Sequence, residues 1–187
     1  MDHWTIHGLW PSRVQRPQSY PCECTKEAFN QQEVTSLLPL MRKYWPSFKS
    51  NDYASFWSHE WEKHGTCCRP HIKTQFQYFN TTLNLRLKVD PGMMLQKLKP
   101  SLDQGYSFMQ LYDALAAEGD VGLHCAHRDD RQVLTEVDFC MTARPQPARF
   151  PCPKVSIAGA SSRCDAYRLI YILPANLPTK PKKMRLL

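Results

Sequence analysis

The stretch Ser55-Phe-Trp-Ser-His59-Glu60-Trp-Glu-Lys63-His64-Gly-Thr-Cys67 decides how this chain is interpreted. Its spacing predicts a helix over residues 53–64, which Gly65 ends in the position that glycine favours. At 100° per residue, two imidazoles, a carboxylate and an ammonium group share an arc of about 140° on that helix: His59, Glu60, Lys63 and His64. Burying such a set in a core would be costly, so the arc is either a functional face or a solvated polar face with incidental histidines.

A zinc protease site is excluded by the spacing of the two histidines. That motif needs its second His four residues after the first, on the same face of the helix. Here His64 follows His59 by five residues, and Lys63 stands where the second ligand should be. We therefore expect no metal and no cofactor at this helix.

Outside this segment, apolar spacing and turn residues predict a single α+β domain over residues 1–178. Strands are expected at 4–7, 132–141 and 167–173, and helices at 31–45, 72–87, directly after Asp90-Pro91-Gly92, and at 107–117. Residues 179–187 contain Lys180, Lys182, Lys183 and Arg185, and we expect a mobile basic tail whose deletion leaves turnover nearly unchanged.

Composition limits the class of protein. The chain has 187 residues and a formal charge of +7 at pH 7, which suits an anionic partner such as nucleic acid, an anionic glycan or a membrane surface. No apolar run approaches the ~20 residues that span a bilayer.

The eight cysteines predict up to four disulfides in an oxidising compartment, and Asn80-Thr81-Thr82 is a glycosylation sequon. Because the chain begins without the apolar segment of a signal peptide, we expect its original N-terminus to be missing.

A second segment, His7-Gly8-Leu9-Trp10-Pro11, adds a third imidazole and an indole at the end of a predicted strand. Two imidazoles, a lysine and a basic surface suggest acid–base cleavage of a phosphodiester. One neutral His would take the proton of a 2′-hydroxyl, and a protonated His would give one to the 5′-oxygen leaving group. This route cleaves RNA and not DNA, which lacks the 2′-hydroxyl. An exposed Trp10 would be a stacking platform for a base.

The two segments, 7–11 and 56–67, resemble the active-site segments of the ribonuclease T2 family, which are secreted, vacuolar or lysosomal acid endoribonucleases. Both match without a broken position and in the family's order. The resemblance implies an α+β fold with a central antiparallel sheet packed by several helices. It implies 2′,3′-cyclic phosphate and then 3′-phosphate products, with RNA as the partner of a monomer. It also implies the roles of individual residues: His7 as general acid, His64 as general base, Glu60 and Lys63 in transition-state stabilisation, His59 in phosphate binding, and Trp10 at the base site.

The resemblance also implies disulfides and raises an alternative. Cys67 should bond to Cys22 or Cys24, and the next expected pairs are Cys125–Cys164 and Cys140–Cys152. Cys68 would then bond to the remaining member of the 22/24 pair or stay free. Family members usually carry a strand before the first segment, next to the strand of His7, and only six residues precede His7 here. The alternative function is therefore a catalytically weakened basic RNA- or glycan-binding protein that lost this strand.

Overall fold

The fold combines short helices with one five-stranded sheet, as the expected α+β class requires. It is a computed structural model, described over residues 3–11, 24–49, 51–116, 119, 121–142, 164–174 and 183–186. The α-helices are α1 (Leu38–Tyr44), α2 (Tyr53–Lys63), α3 (Gln75–Lys88), α4 (Pro91–Met94) and α5 (Phe108–Leu115), and 3-10 turns span Gln31–Leu37 and Gly65–Cys67. The strands are β1 (Thr5–Leu9), β2 (Val121–Arg128), β3 (Arg131–Phe139), β4 (Ile170–Tyr171) and β5 (Lys183–Leu186).

The sheet has the order β1-β5-β3-β2. The short strand β4 pairs with Gln132 and Val133 of β3, whereas β5 pairs with residues 136–139 of the same strand. The hairpin of β2 and β3 is antiparallel, as the resemblance implies for the sheet. In the other strand pairs the strands run parallel: β1 with β5, β5 with β3, and β4 with β3. A tight turn forces only β2 and β3 into antiparallel pairing, whereas the other neighbours are distant in sequence and are free of that constraint.

The end of the chain lies inside the sheet, which corrects the prediction of a basic tail. Residues 183–186 pair on both sides, with β1 and with β3, and the side chain of Met184 is fully buried. The prediction of a solvated tail is therefore wrong for these four residues, while 175–182 and 187 lie outside the described residues. Strand β1, whose usual neighbour in the family was expected to be missing, pairs here with β5.

The helices begin where their capping residues predict. Asp52 accepts a hydrogen bond from the Ser55 backbone N–H at 3.0 Å and so starts α2. The predicted helix over 31–45 is instead a 3-10 turn followed by α1. Pro39 stands in the first turn of α1, where its missing N–H is not needed, so the proline decides where the α-helix starts.

Side chains from the helices hold β1 in place. The Trp45 indole donates to the carbonyl of His7 at 2.9 Å, and the buried Tyr78 hydroxyl donates to the carbonyl of Leu9 at 3.0 Å. The buried Arg86 guanidinium donates to the carbonyl of Trp4 at 3.0 Å. Because a buried carbonyl without a donor is costly, these contacts fix β1 against the helices on one side while β5 pairs on the other.

Two expected disulfides are confirmed. Cys24 bonds to Cys67 with Cα atoms 5.1 Å apart, and Cys125 bonds to Cys164 with Cα atoms 4.8 Å apart. Cys140 is also disulfide-bonded, but its predicted partner, Cys152, lies outside the described residues, as does Cys22. Cys68 is a free thiol, the second of its two expected outcomes, and burial raises its pKa to about 12. Over the described ranges, none of the helices has the length and apolar character needed to span a bilayer.

We expect the double variant Cys24→Ala/Cys67→Ala to lose roughly 2–4 kcal/mol of unfolding free energy, because the bond restricts the unfolded chain over 43 residues of sequence separation. Urea unfolding followed by tryptophan fluorescence measures this loss. Cys68→Ala is the matched control, since it removes the adjacent thiol without removing a crosslink. Equal stability of the two variants would contradict a stabilising role for the disulfide.

Candidate active site

A hydrogen bond joins the two motif segments. The Trp10 indole N–H, just after β1, donates to Oε2 of Glu60 on α2 at 2.9 Å. Gly8 makes the approach possible, because a Cβ at that position would overlap with the Glu60 carboxylate and the Trp10 indole nitrogen. The glycine between the predicted His and Trp is therefore a requirement of packing.

Trp10 also brings the histidines together. Its ring stacks on the His64 ring, with centroids 4.5 Å apart and planes 16° from parallel. The His7 ring meets the same indole edge-on at 4.9 Å. The sequence predicted an exposed indole, but Trp10 is half-buried among the catalytic candidates. Its role in base stacking stays a prediction.

Burial sets the protonation states of the α2 residues. It is the largest cause that lowers the pKa of His64 to about 3, with contributions from the charges of Lys63 and His59. It also raises the pKa of Glu60 to about 7, against the opposing effect of the Trp10 hydrogen bond. His64 is therefore neutral at mildly acidic pH, while Glu60 is largely protonated there. Among the described residues, the buried Nδ1 of His64 has no hydrogen-bond partner.

His7 is oriented by a carboxylate from the sheet. Its Nδ1 lies 2.6 Å from Oε1 of Glu136 on β3. Burial acts to raise the pKa of Glu136, but the His7 hydrogen bond and the charges of His7 and Arg185 outweigh it and hold the pKa at about 2. Glu136 is thus an ionised acceptor and His7 Nδ1 is the donor, which leaves Nε2 of His7 to exchange a proton with another group.

The remaining two predicted residues lie at the edge of this cluster. His59 is exposed overall, and its ring centroid lies 6.2 Å from that of His64. Partial loss of solvent, followed by the charge of Lys63, lowers its pKa. Lys63 is half-buried on the same helix. Among the described residues, His59, Glu60 and His64 are a group that could hold a metal ion, since one ligand atom from each lies within 4.8 Å of the others.

Sequence reasoning missed the residues that the sheet contributes. Glu136 and Asp138 stand two residues apart on β3 and face the same side of the sheet. In register, Glu136 lies opposite Lys183 of β5, and Asp138 lies opposite Arg185. The available signal is the alternation of charged and apolar residues in 183–186, which is typical of a strand, although the same lysines and arginine also suit a solvated charge run. Asn80 of the sequon lies half-buried inside α3 and not in a loop, and its glycosylation stays a prediction.

Comparisons with known proteins agree with the geometry. Residues 1–150 match the ribonuclease T2 family. Human ribonuclease T2 is 34% identical over 98% of this chain and 77% of its own length, and the pig ribonuclease T2 is 36% identical over 83% and 80%. The crystal structure of the human protein superposes with a TM-score of 0.74 at 30% identity, covering 93% of this chain and 86% of that chain.

A plant enzyme extends the comparison to a nucleotide complex. A variant of ribonuclease MC1 in complex with 5′-GMP has a TM-score of 0.62 and 27% identity, covering 70% of this chain and 69% of that chain. The family match covers most of the chain, and it includes both segments that form the site described above. The chain therefore belongs to the ribonuclease T2 family and is an endoribonuclease of that type.

Proposed function

We propose that this chain cleaves single-stranded RNA by metal-independent acid–base transphosphorylation between two histidines. The observation that carries the proposal is that the rings of His7 and His64 contact the same indole, that of Trp10, but lie in different surroundings. His64 is buried and neutral, as a general base must be, whereas His7 donates a hydrogen bond from Nδ1 to the ionised carboxylate of Glu136 and so keeps Nε2 for proton transfer to the leaving group.

In the first step, His64 accepts the proton of the ribose 2′-hydroxyl as the 2′-oxygen forms its bond to phosphorus. His7, protonated, donates a proton from Nε2 to the departing 5′-oxygen as the phosphorus–oxygen bond breaks. The products are a 2′,3′-cyclic phosphate and a free 5′-hydroxyl. Water then opens the ring with the two roles reversed and leaves a 3′-phosphate.

The other predicted residues act on the charge that develops on phosphorus. Lys63 supplies a cation, and protonated Glu60 supplies a hydrogen-bond donor to the phosphorane oxygens below about pH 7. His59, exposed at the edge of the cluster, binds the substrate phosphate. The nucleophile belongs to the substrate, so the mechanism needs no metal-bound water.

RNA is the proposed partner of a monomeric enzyme with no action on DNA, whose missing 2′-hydroxyl is the nucleophile. The ribonuclease MC1 variant that was solved in complex with 5′-GMP supports a nucleotide ligand for a protein of this fold. The disulfides of the chain support a secreted or lysosomal location, because such bonds persist in oxidising compartments.

We expect His7→Ala and His64→Ala each to lose about 10²–10⁴-fold in kcat, the usual contribution of one acid or base. His59→Ala should lose less kcat and raise KM more, because binding phosphate is a ground-state role. A fluorogenic RNA substrate in excess EDTA measures all three variants.

Two results would contradict these roles. Loss of wild-type activity in the chelator would overturn the metal-free mechanism, and a His59→Ala defect larger than the other two would reverse the assignments. Wild-type chain that binds RNA but does not cleave it would favour the alternative of a weakened binding protein.

The pH profile of kcat/KM should be bell-shaped and extend far into the acidic range. A base with a pKa of about 3 stays neutral down to that pH, so the acidic limb should lie below about pH 4. Lys63→Gln should move this limb to higher pH, because the Lys63 charge helps to lower the pKa of His64. Lys97→Gln, at an exposed position, is the control. A rate that rises monotonically from about pH 4 to 9 would contradict catalysis by two histidines.

Glu60→Gln should change how stability depends on pH. Because the pKa of Glu60 rises from 4.5 to about 7 on folding, its contribution is fully present below pH 4.5 and is lost as pH rises toward 7. A glutamine does not titrate and still accepts the Trp10 hydrogen bond. The Tm of Glu60→Gln relative to wild type should therefore be higher at about pH 8 than at about pH 4 by calorimetry. The exposed Glu33→Gln is the control, and an equal Tm difference at both pH values would contradict the prediction.

A further inference from the structure

The strand at the end of the chain brings a cation into the active site. β5 lies between β1 and β3, and its residues alternate between the two faces of the sheet. Met184 is fully buried, while Lys183 and Arg185 are partly exposed. In register, Lys183 stands opposite Glu136 and Arg185 opposite Asp138, so two bases of β5 face two acids of β3.

Arg185 shares the carboxylate oxygen that orients His7. Its guanidinium lies 3.2 Å from Oε1 of Glu136, the same atom that is 2.6 Å from His7 Nδ1. A second contact of Arg185, at 3.6 Å, reaches Oδ1 of Asp138, and the other oxygen of that carboxylate, Oδ2, lies 2.7 Å from Nε2 of the buried His124. Arg185 on β5 therefore contacts the carboxylate oxygen that orients the His7 ring, and it also contacts the neighbouring acid of β3, Asp138.

Arg185 also contacts the residue that covers His64. Its guanidinium carbon lies 4.0 Å from the centroid of the Trp10 ring, a distance at which the cation is attracted to the indole face. Trp10 stacks on His64 and donates to Glu60, so a displacement of the indole would disturb both. A planar guanidinium can stack on the ring and pair with the carboxylate, whereas the ammonium of lysine cannot do both.

We propose that Arg185 is a positioning residue for transphosphorylation, and that it acts on His7 through Glu136 and on His64 through Trp10. The inference rests on the proposed function. It makes β5 a part of the active site, and it assigns a use to an arginine at the end of the sequence that neither active-site motif contains.

The first test compares Arg185→Ala and Arg185→Lys with the control Arg128→Ala, whose side chain is exposed at the far end of the β2–β3 hairpin. We expect Arg185→Ala to lose on the order of 10²-fold in kcat with a smaller change in KM, since small displacements of catalytic groups cost about that much. Arg185→Lys should recover little of the loss, and added guanidinium ion should restore part of the activity of Arg185→Ala. Arg128→Ala should cleave as wild type does.

A purely structural role predicts a different pattern. It would lower the Tm and the folded fraction of Arg185→Ala, leave kcat per folded molecule within about twofold of wild type, and show no rescue by guanidinium. That pattern would overturn the proposal, as would full activity in Arg185→Lys.

A second test needs no activity. The stacked indole should shift the His64 ring protons upfield in the NMR spectrum of wild type, and Arg185→Ala should move them back toward ordinary values while Arg128→Ala leaves them unchanged. If wild type cleaves no RNA, the proposed function fails, and this spectrum still decides the inference. Unchanged His64 shifts in a folded Arg185→Ala protein would overturn the positioning of Trp10 by Arg185.

Discussion

The hydrogen bond from Trp10 to the buried carboxylate of Glu60 is the contact on which the site depends. It joins a residue just after β1 to the middle of α2, 50 residues away in sequence. It needs Gly8, where a side chain would occupy the same space. Once Trp10 is fixed there, its ring meets both His7 and His64. The disulfide from Cys24 to Cys67 secures the end of the same helical segment to the chain that follows the first motif.

Burial, more than the charge of neighbouring groups, sets the pKa values of His64 and Glu60 and therefore which of the two groups can accept a proton and which can donate a hydrogen bond. Lys63 lowers the pKa of its neighbour His64, but loss of solvent is the larger cause, and the same loss raises the pKa of Glu60. A protonated Glu60 cannot act as a counter-ion that would keep His64 charged. Two adjacent groups with opposite charges in water thus both become neutral, which is the state that a base and a hydrogen-bond donor require.

The sequence predicted the local features well, because they depend on neighbours in the chain. The arc of His59, Glu60, Lys63 and His64 follows from helical periodicity, and Gly65 stands directly after the C-cap of that helix, where the spacing places it. Burial does not follow from periodicity, so helical spacing alone does not say how the opposing charges of Lys63 and Glu60 would affect the pKa of His64. Nor could it show that Trp10 turns inward, since that depends on the space above Gly8.

The sheet was the hardest part to predict, because parallel pairing joins segments that no turn connects. The short sequence from Lys183 to Leu186 has two basic residues, which suit a solvated terminus, but these alternate with two apolar residues, which suits a strand. What decides between them is the partner strand: β3 presents Glu136 and Asp138 in register with Lys183 and Arg185, and the core accepts Met184. Without those bases the two acids would have only the imidazoles of His7 and His124 as charge partners, so the same charges that suggested a free tail favour its place in the sheet.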